Sequence, residues 1–177
     1  MNRRIRIWCV MALLAAGASV RAAESLRIVP IVADGQVLVS FDIADAYTDE
    51  VRDAIASGLR TTFTYDVELR MVVPAWVDRT VATAVVSASD RYNNLLRRHS
   101  LSRSVDGRVD EVSVTDDRDV AERWLTSFNR LPLCRTSKLD PSRDYYVRIR
   151  AHTRPPGSSL IGWTSVITGQ AKFTLIP

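Results

Sequence analysis

The sequence predicts an α+β domain: a mainly antiparallel sheet of long strands and hairpins, with two helices packed on one face. Three observations carry this. Asp34-Gly35 and Asp106-Gly107 each stand between strand-like flanks, where an Asp-Gly pair favours a two-residue hairpin turn with positive φ at its centre. Residues 62–73 alternate, with Phe63, Tyr65, Val67, Leu69, Met71 and Val73 on one side and Thr62, Thr64, Asp66, Glu68 and Arg70 on the other. That period marks a strand with one buried and one solvated face, which is an antiparallel habit. Two further segments change to helical spacing, and helices on one side of such a sheet complete the class.

The first hairpin, over residues 26–43, follows by arithmetic from its turn. Residues whose numbers sum to 69 face each other, so Leu26 meets Ile43, Ile28 meets Phe41, Pro30 meets Val39 and Val32 meets Val37. A slip of one residue would turn this apolar set to solvent. Pro30 has no N–H to give a ladder, so its strand belongs at an edge.

In residues 46–59 Tyr47, Val51, Ile55 and Leu59 recur every fourth position; Asp45 is the expected N-cap and Gly58 the expected stop. After the alternating strand, residues 79–89 form another, small on both sides. The second hairpin, residues 99–114, places Leu101 opposite Val112 and Arg103 opposite Asp110, with room for a bulge at Asp110-Glu111. Arg97-Arg98-His99 is read as the solvated start of its first strand.

Asp116, Asp117 and Asp119 then load the first turn of a helix and complement its dipole; Val120, Trp124, Phe128 and Leu131 make its buried stripe, and Pro132 ends it. Asp140-Pro141-Ser142-Arg143 is a turn, after which Tyr145, Val147, Ile149 and Ala151 point inward and Tyr146, Arg148, Arg150 and His152 outward. A loop at Pro155-Pro156-Gly157 leads to a last strand through Ala171, Phe173 and Leu175. Hairpin, helix and strands thus occur twice in order, which leaves an internal duplication open.

Charge divides the chain unevenly. Met1 to Arg6 is basic, Ile7 to Ala18 is apolar and uncharged, and Val20-Arg21-Ala22 fits a cleavage site, so residues 1–22 are expected to be a signal peptide and 23–177 a single domain. An uncleaved leader is the alternative, and would be the only membrane contact expected. Of 24 Lys and Arg, four (Arg3, Arg4, Arg6 and Arg21) lie in that leader, which leaves 20 against 20 Asp and Glu. A neutral domain lacks the electrostatic footprint of a nucleic-acid binder or of an anionic-lipid binder. Its destination would be the periplasm or cell envelope, with an envelope protein of unknown identity as partner. With Cys9 in the leader, Cys134 is the one remaining thiol and no intrachain disulfide can form.

The landmarks Gly58 and Phe63, Glu68-Leu69-Arg70, Trp76 and Asp78, Tyr92, Leu101-Ser102-Arg103, Leu131-Pro132, Leu139, Tyr146-Val147-Arg148 and Trp163 run through most of the mature chain. In these it resembles an exported bacterial family catalogued as domain of unknown function 4390. Residues 71–75 depart from that family, which is commonly richer in Trp and Arg there. The resemblance implies export and carries no active site.

Chemistry-bearing residues are few. His99, His152 and Cys134 are the only His and Cys after the leader, and no Gly-x-Ser-x-Gly occurs. No catalytic residue, metal or cofactor is called for. The arrangement that stands out is on the wet faces of two strands: Asp66, Glu68 and Arg70 on one, Tyr146, Arg148 and Arg150 on the other, with Trp76 and Asp78 at the end. If the strands are neighbours, these form a ladder of ion pairs or a face where a partner docks. The expected function is therefore a non-catalytic envelope protein acting as a protein-interaction module. The alternative is a carrier of an apolar small molecule or lipid between sheet and helices.

Overall fold

A computed structural model describes residues 25–154 and 165–175. Its elements are β1 (Leu26–Ala33), β2 (Gln36–Ile43), α1 (Asp49–Ala56), β3 (Thr61–Met71), β4 (Arg79–Asn93), β5 (Arg98–Val105), β6 (Arg108–Thr115), α2 (Arg118–Thr126), β7 (Ser127–Arg135), a 3-10 turn at Thr136–Lys138, β8 (Tyr145–Arg154) and β9 (Ser165–Phe173). The class is α+β, with every strand pairing antiparallel. The strands divide between two sheets. A six-stranded sheet has the order β6-β5-β4-β3-β8-β9, and a three-stranded one the order β1-β2-β7.

The core lies against one face of the large sheet. Phe63, Tyr65, Val67 and Leu69 of β3 and Val147, Ile149 and Ala151 of β8 are buried there. The small sheet and both helices cover them. Phe41 of β2, Phe128 of β7 and Tyr65 meet ring to ring, with centroids 5.0, 5.1 and 5.3 Å apart. Where the sheets approach most closely the sequence has Gly169, since a Cβ there would stand 2.9 Å from Leu26 Cδ2. Among the described residues no helix is long and apolar enough to cross a membrane.

The first hairpin has the expected register throughout, Leu26 opposite Ile43 to Val32 opposite Val37, and β1 is an edge. Asp34 and Gly35 both have positive φ, 52° and 68°, as do Asp106 and Gly107, 48° and 77°. In the second hairpin the register matches the arithmetic only beside the turn. Asp110 is bulged out, so Arg103 faces Glu111 and Leu101 faces Ser113. Each pairing beyond the bulge is displaced by one residue.

Two helix boundaries differ from expectation. The first helix is capped by Thr48, whose hydroxyl accepts from the Val51 amide, and not by Asp45. Gly58 follows its end at φ 84°, and Leu59, past that stop, is left 46% exposed. The second helix ends at Thr126, well before Pro132. Phe128, Leu131 and Cys134, spaced by threes, belong to β7. Two bulges in its pairing with β2 set Phe128, Leu131 and Cys134 opposite Phe41, Val39 and Val37, so all three face the core. A strand with a bulge every third residue imitates the helical period. Pro132 is tolerated because β7 is an edge.

The loop at Pro155-Pro156-Gly157, and the landmark Trp163, lie outside the described residues.

Candidate functional site

β3 and β8 are neighbours, and their register sets Asp66 opposite Arg150, Glu68 opposite Arg148, and Arg70 opposite Tyr146. All six side chains therefore share the outer face of the large sheet, which neither helices nor small sheet cover. Glu68 is the centre. Its Oε2 accepts from Arg148 Nη2 at 2.6 Å and lies 3.5 Å from Arg70 Nη1, while its Oε1 accepts from Arg150 Nη2 at 2.7 Å. One carboxylate, 18% exposed, thus holds three guanidinium groups.

The ladder is not the rung-by-rung one that register alone suggests. Asp66, directly opposite Arg150, binds His152 Nε2 at 3.0 Å, and Arg150 reaches diagonally to Glu68. Long side chains prefer the diagonal because it spans about 7–8 Å on a twisted sheet, within an arginine's reach. At Glu68 itself guanidinium groups outnumber carboxylates, while Asp66 and Asp78 bring the eight residues together to three of each. Three cations converge on one anion, and Arg150 keeps 40% of its side chain in water.

Asp78 and Trp76 sit at the β3 end of this face, in the loop to β4. The Tyr146 hydroxyl donates to Asp78 Oδ2 at 2.9 Å, the Val73 amide donates to Oδ1 at 3.2 Å, and Arg70 Nη2 donates to the Asp78 carbonyl at 2.7 Å. The Tyr146 hydrogen bond, then that of Val73, holds the Asp78 carboxyl below its ordinary range. Burial, then the same bond, pushes the Tyr146 hydroxyl up. The loop is thereby fixed in place while Trp76 remains 81% exposed. All eight residues singled out in the sequence fall on this face or at its rim.

Two further arrangements were not legible. His99, expected at a solvated strand start, is buried on the core face, its Nδ1 2.7 Å from Oδ2 of the fully buried Asp90. Burial raises the Asp90 carboxyl above its ordinary value, partly offset by the His99 bond. His99, with Asp90 behind it, lines a cleft of about 350 Å³ together with Tyr47, Arg52, Ile55 and Arg118. The geometry can orient an imidazole, but the side chains lining the cleft include no Ser, Thr or Cys. The missed signal is parity. Asp90 continues the buried series Ala84, Val86, Ala88 along β4.

The other arrangement is Arg103, stacked between the rings of Trp124 and Phe128 at 4.2 and 4.4 Å. It donates to the Trp124 and Ser127 carbonyls at 3.0 and 2.7 Å, which fastens the end of α2 to the sheet. Cys134 is half-buried on β7, and burial raises its thiol above the usual range, the opposite of an activated nucleophile.

A family model described as Domain of unknown function (DUF4390) matches residues 21–155, a span that takes in everything from β1 to β8 and so both strands of the polar face. No curated protein and no solved structure matches the chain.

Proposed function

This chain belongs to the DUF4390 family, and from its own side chains we propose that it is an exported, non-catalytic envelope protein whose outer sheet face binds a protein partner. The observation that carries the proposal is the triple engagement of Glu68. Arg70, Arg148 and Arg150 supply more donors than one carboxylate can accept, on an uncovered face built by two paired strands. Arginine held in a fixed orientation loses little entropy when it gains a second carboxylate, which is why such groups recur at protein interfaces. Expectation of export rests on the basic and apolar character of residues 1–22.

The clefts in the structure give a lipid carrier weaker support. A groove of about 460 Å³ beside α2 sets Val29, Phe41, Val120 and Trp124 among Arg27, Asp42, Arg103 and Arg123, and the cleft at His99 sets Tyr47, Ile55 and Tyr92 among Arg52, Asp116 and Arg118. An acyl chain in either would lie against charged side chains.

The test is a photo-crosslinking residue at Thr168, which shares the outer face in register with Arg150, and a control at Asp53, exposed on α1. Expression in the cell envelope should give one discrete protein adduct from position 168 and none from 53. The adduct should vanish in Arg150→Glu, with folding checked by its melting curve. Equal adducts from both positions, or none from 168, would sink the proposal.

A further inference from the structure

The loop from β3 to β4 reads Val72-Val73-Pro74-Ala75-Trp76-Val77 before reaching Asp78. Surface turns ordinarily draw on Gly, Asn, Asp and Ser, and this one is apolar for six residues in succession. Trp76 is 81% and Val77 74% exposed, and Pro74 and Ala75 are exposed as well. Nothing in the described fold covers them.

The backbone of the loop narrows the choice of what does. The Val72 amide donates to the Asp144 carbonyl at 2.9 Å, the Val73 amide to the Asp78 carboxylate at 3.2 Å, and the Trp76 amide to the Val73 carbonyl at 3.2 Å. Pro74 has no N–H to satisfy. Within the loop only the amides of Ala75 and Val77 lack such a partner among the described residues. A protein groove that reads a segment by strand pairing needs a row of open amides, whereas hydrocarbon penalises each one. An apolar tip with most donors closed suits the second medium.

Cations stand around the tip. Exposed Arg79 lies in register with Met71 at the base of the loop, Lys172 is exposed opposite Tyr146, and Arg143 adjoins the Asp144 carbonyl that anchors Val72. Asp78, Asp140 and Asp144 oppose them in part, Asp78 being already engaged by the Tyr146 hydroxyl and the Val73 amide. Trp at a tip with Arg and Lys behind it matches the interface of a bilayer, where the indole sits at headgroup level and cations meet phosphates.

We infer that the loop 72–77 inserts into the interfacial layer of a lipid bilayer, docking this end of the sheet on a membrane surface. The neutral charge of the domain does not oppose this, because insertion depends on the local apolar tip. The inference goes beyond the proposed protein contact: it assigns Trp76, at the rim of that face, to the bilayer and leaves the arginine cluster on Glu68 to the partner.

The test uses the full chain with vesicles of phosphatidylcholine and phosphatidylglycerol carrying brominated acyl chains, and reads the fluorescence difference between wild type and Trp76→Phe. That difference isolates Trp76 from the other tryptophans. It should shift to the blue on adding vesicles and lose about half its intensity or more with brominated lipid. Arg150→Glu should leave this signal unchanged, which separates it from the protein contact. A difference signal that stays unshifted and unquenched overturns the inference, as does one that shifts only when a protein partner is added.

Discussion

Tyr65→Phe removes one hydroxyl from the middle of the core and changes almost nothing else in volume. That hydroxyl donates to the Leu125 carbonyl in the last turn of α2, and both residues are fully buried. A helix end leaves its final carbonyls without intrahelical donors, and here water cannot replace the lost one. Stranding a buried acceptor costs about 1–3 kcal/mol. For a domain of this size that lowers Tm by about 3–9 °C. Urea unfolding followed by circular dichroism should show the lower midpoint with an unchanged slope, because the same surface is exposed.

The same residue gives the prediction a pH signature. Burial raises the Tyr65 pKa well above its ordinary 10.0. A group whose folded pKa is raised contributes stability that is complete below its unfolded pKa and is lost as pH climbs toward the folded one. Above pH 10 wild type should therefore lose up to about 1.36 kcal/mol per pH unit from Tyr65, and the variant should not. Tyr47 and Tyr146 are also raised but are present in both proteins and cancel. The gap between the two must narrow above pH 10. A difference under about 0.5 kcal/mol at pH 7, against the 1–3 kcal/mol of a stranded acceptor, or a gap constant across that range, would refute the reasoning.

Three more perturbations test other joints of the fold. Gly169→Ala puts a methyl within 2.9 Å of Leu26 Cδ2 and 3.1 Å of its Cγ, and should destabilise by about 1–2 kcal/mol. In a Leu26→Ala background most of that cost should disappear, with Ile28 Cδ1 at 3.3 Å the remaining tight neighbour, which a double-mutant cycle by urea unfolding would read. Arg103→Met keeps the bulk between Trp124 and Phe128 but strands the Trp124 and Ser127 carbonyls; about 2–4 kcal/mol should be lost in urea unfolding, and Arg103→Lys should recover only part because ammonium lacks the fork. Asp78→Asn weakens the acceptor that fixes the loop 72–77, so the Val73 amide should exchange faster by NMR. Because the Asp78 pKa is depressed, its contribution is present above about 3.8 and lost as pH falls, so the variant's stability should be flatter on the acid side.

How far the sequence reaches is clearest where its period is pure. The alternation of residues 61–70 is also their burial pattern, so the wet face of β3 was readable without coordinates. The same holds for β8, apart from Tyr146, which its bond to Asp78 helps to bury. Period fails where bulges intervene. Phe128, Leu131 and Cys134 carry a helical spacing and lie in a strand, and the bulge at Asp110 shifts the second hairpin by one.

By itself, then, the sequence determined the α+β class, the first hairpin to the residue, and the sets of side chains that share a strand face. These are local matters, settled by turn chemistry and by which positions can be hidden from water. Tertiary structure decided the rest. Only pairing across the sheet could place β8 beside β3 and gather three arginines on Glu68, contacts that span up to 82 residues of chain. Only the division into two sheets, with β7 drawn from the end of a helix to complete the smaller one, fixed where the core ends and which face stays open. Such contacts form because distant strands satisfy one another's backbone groups, and no window of sequence records which partner will do so.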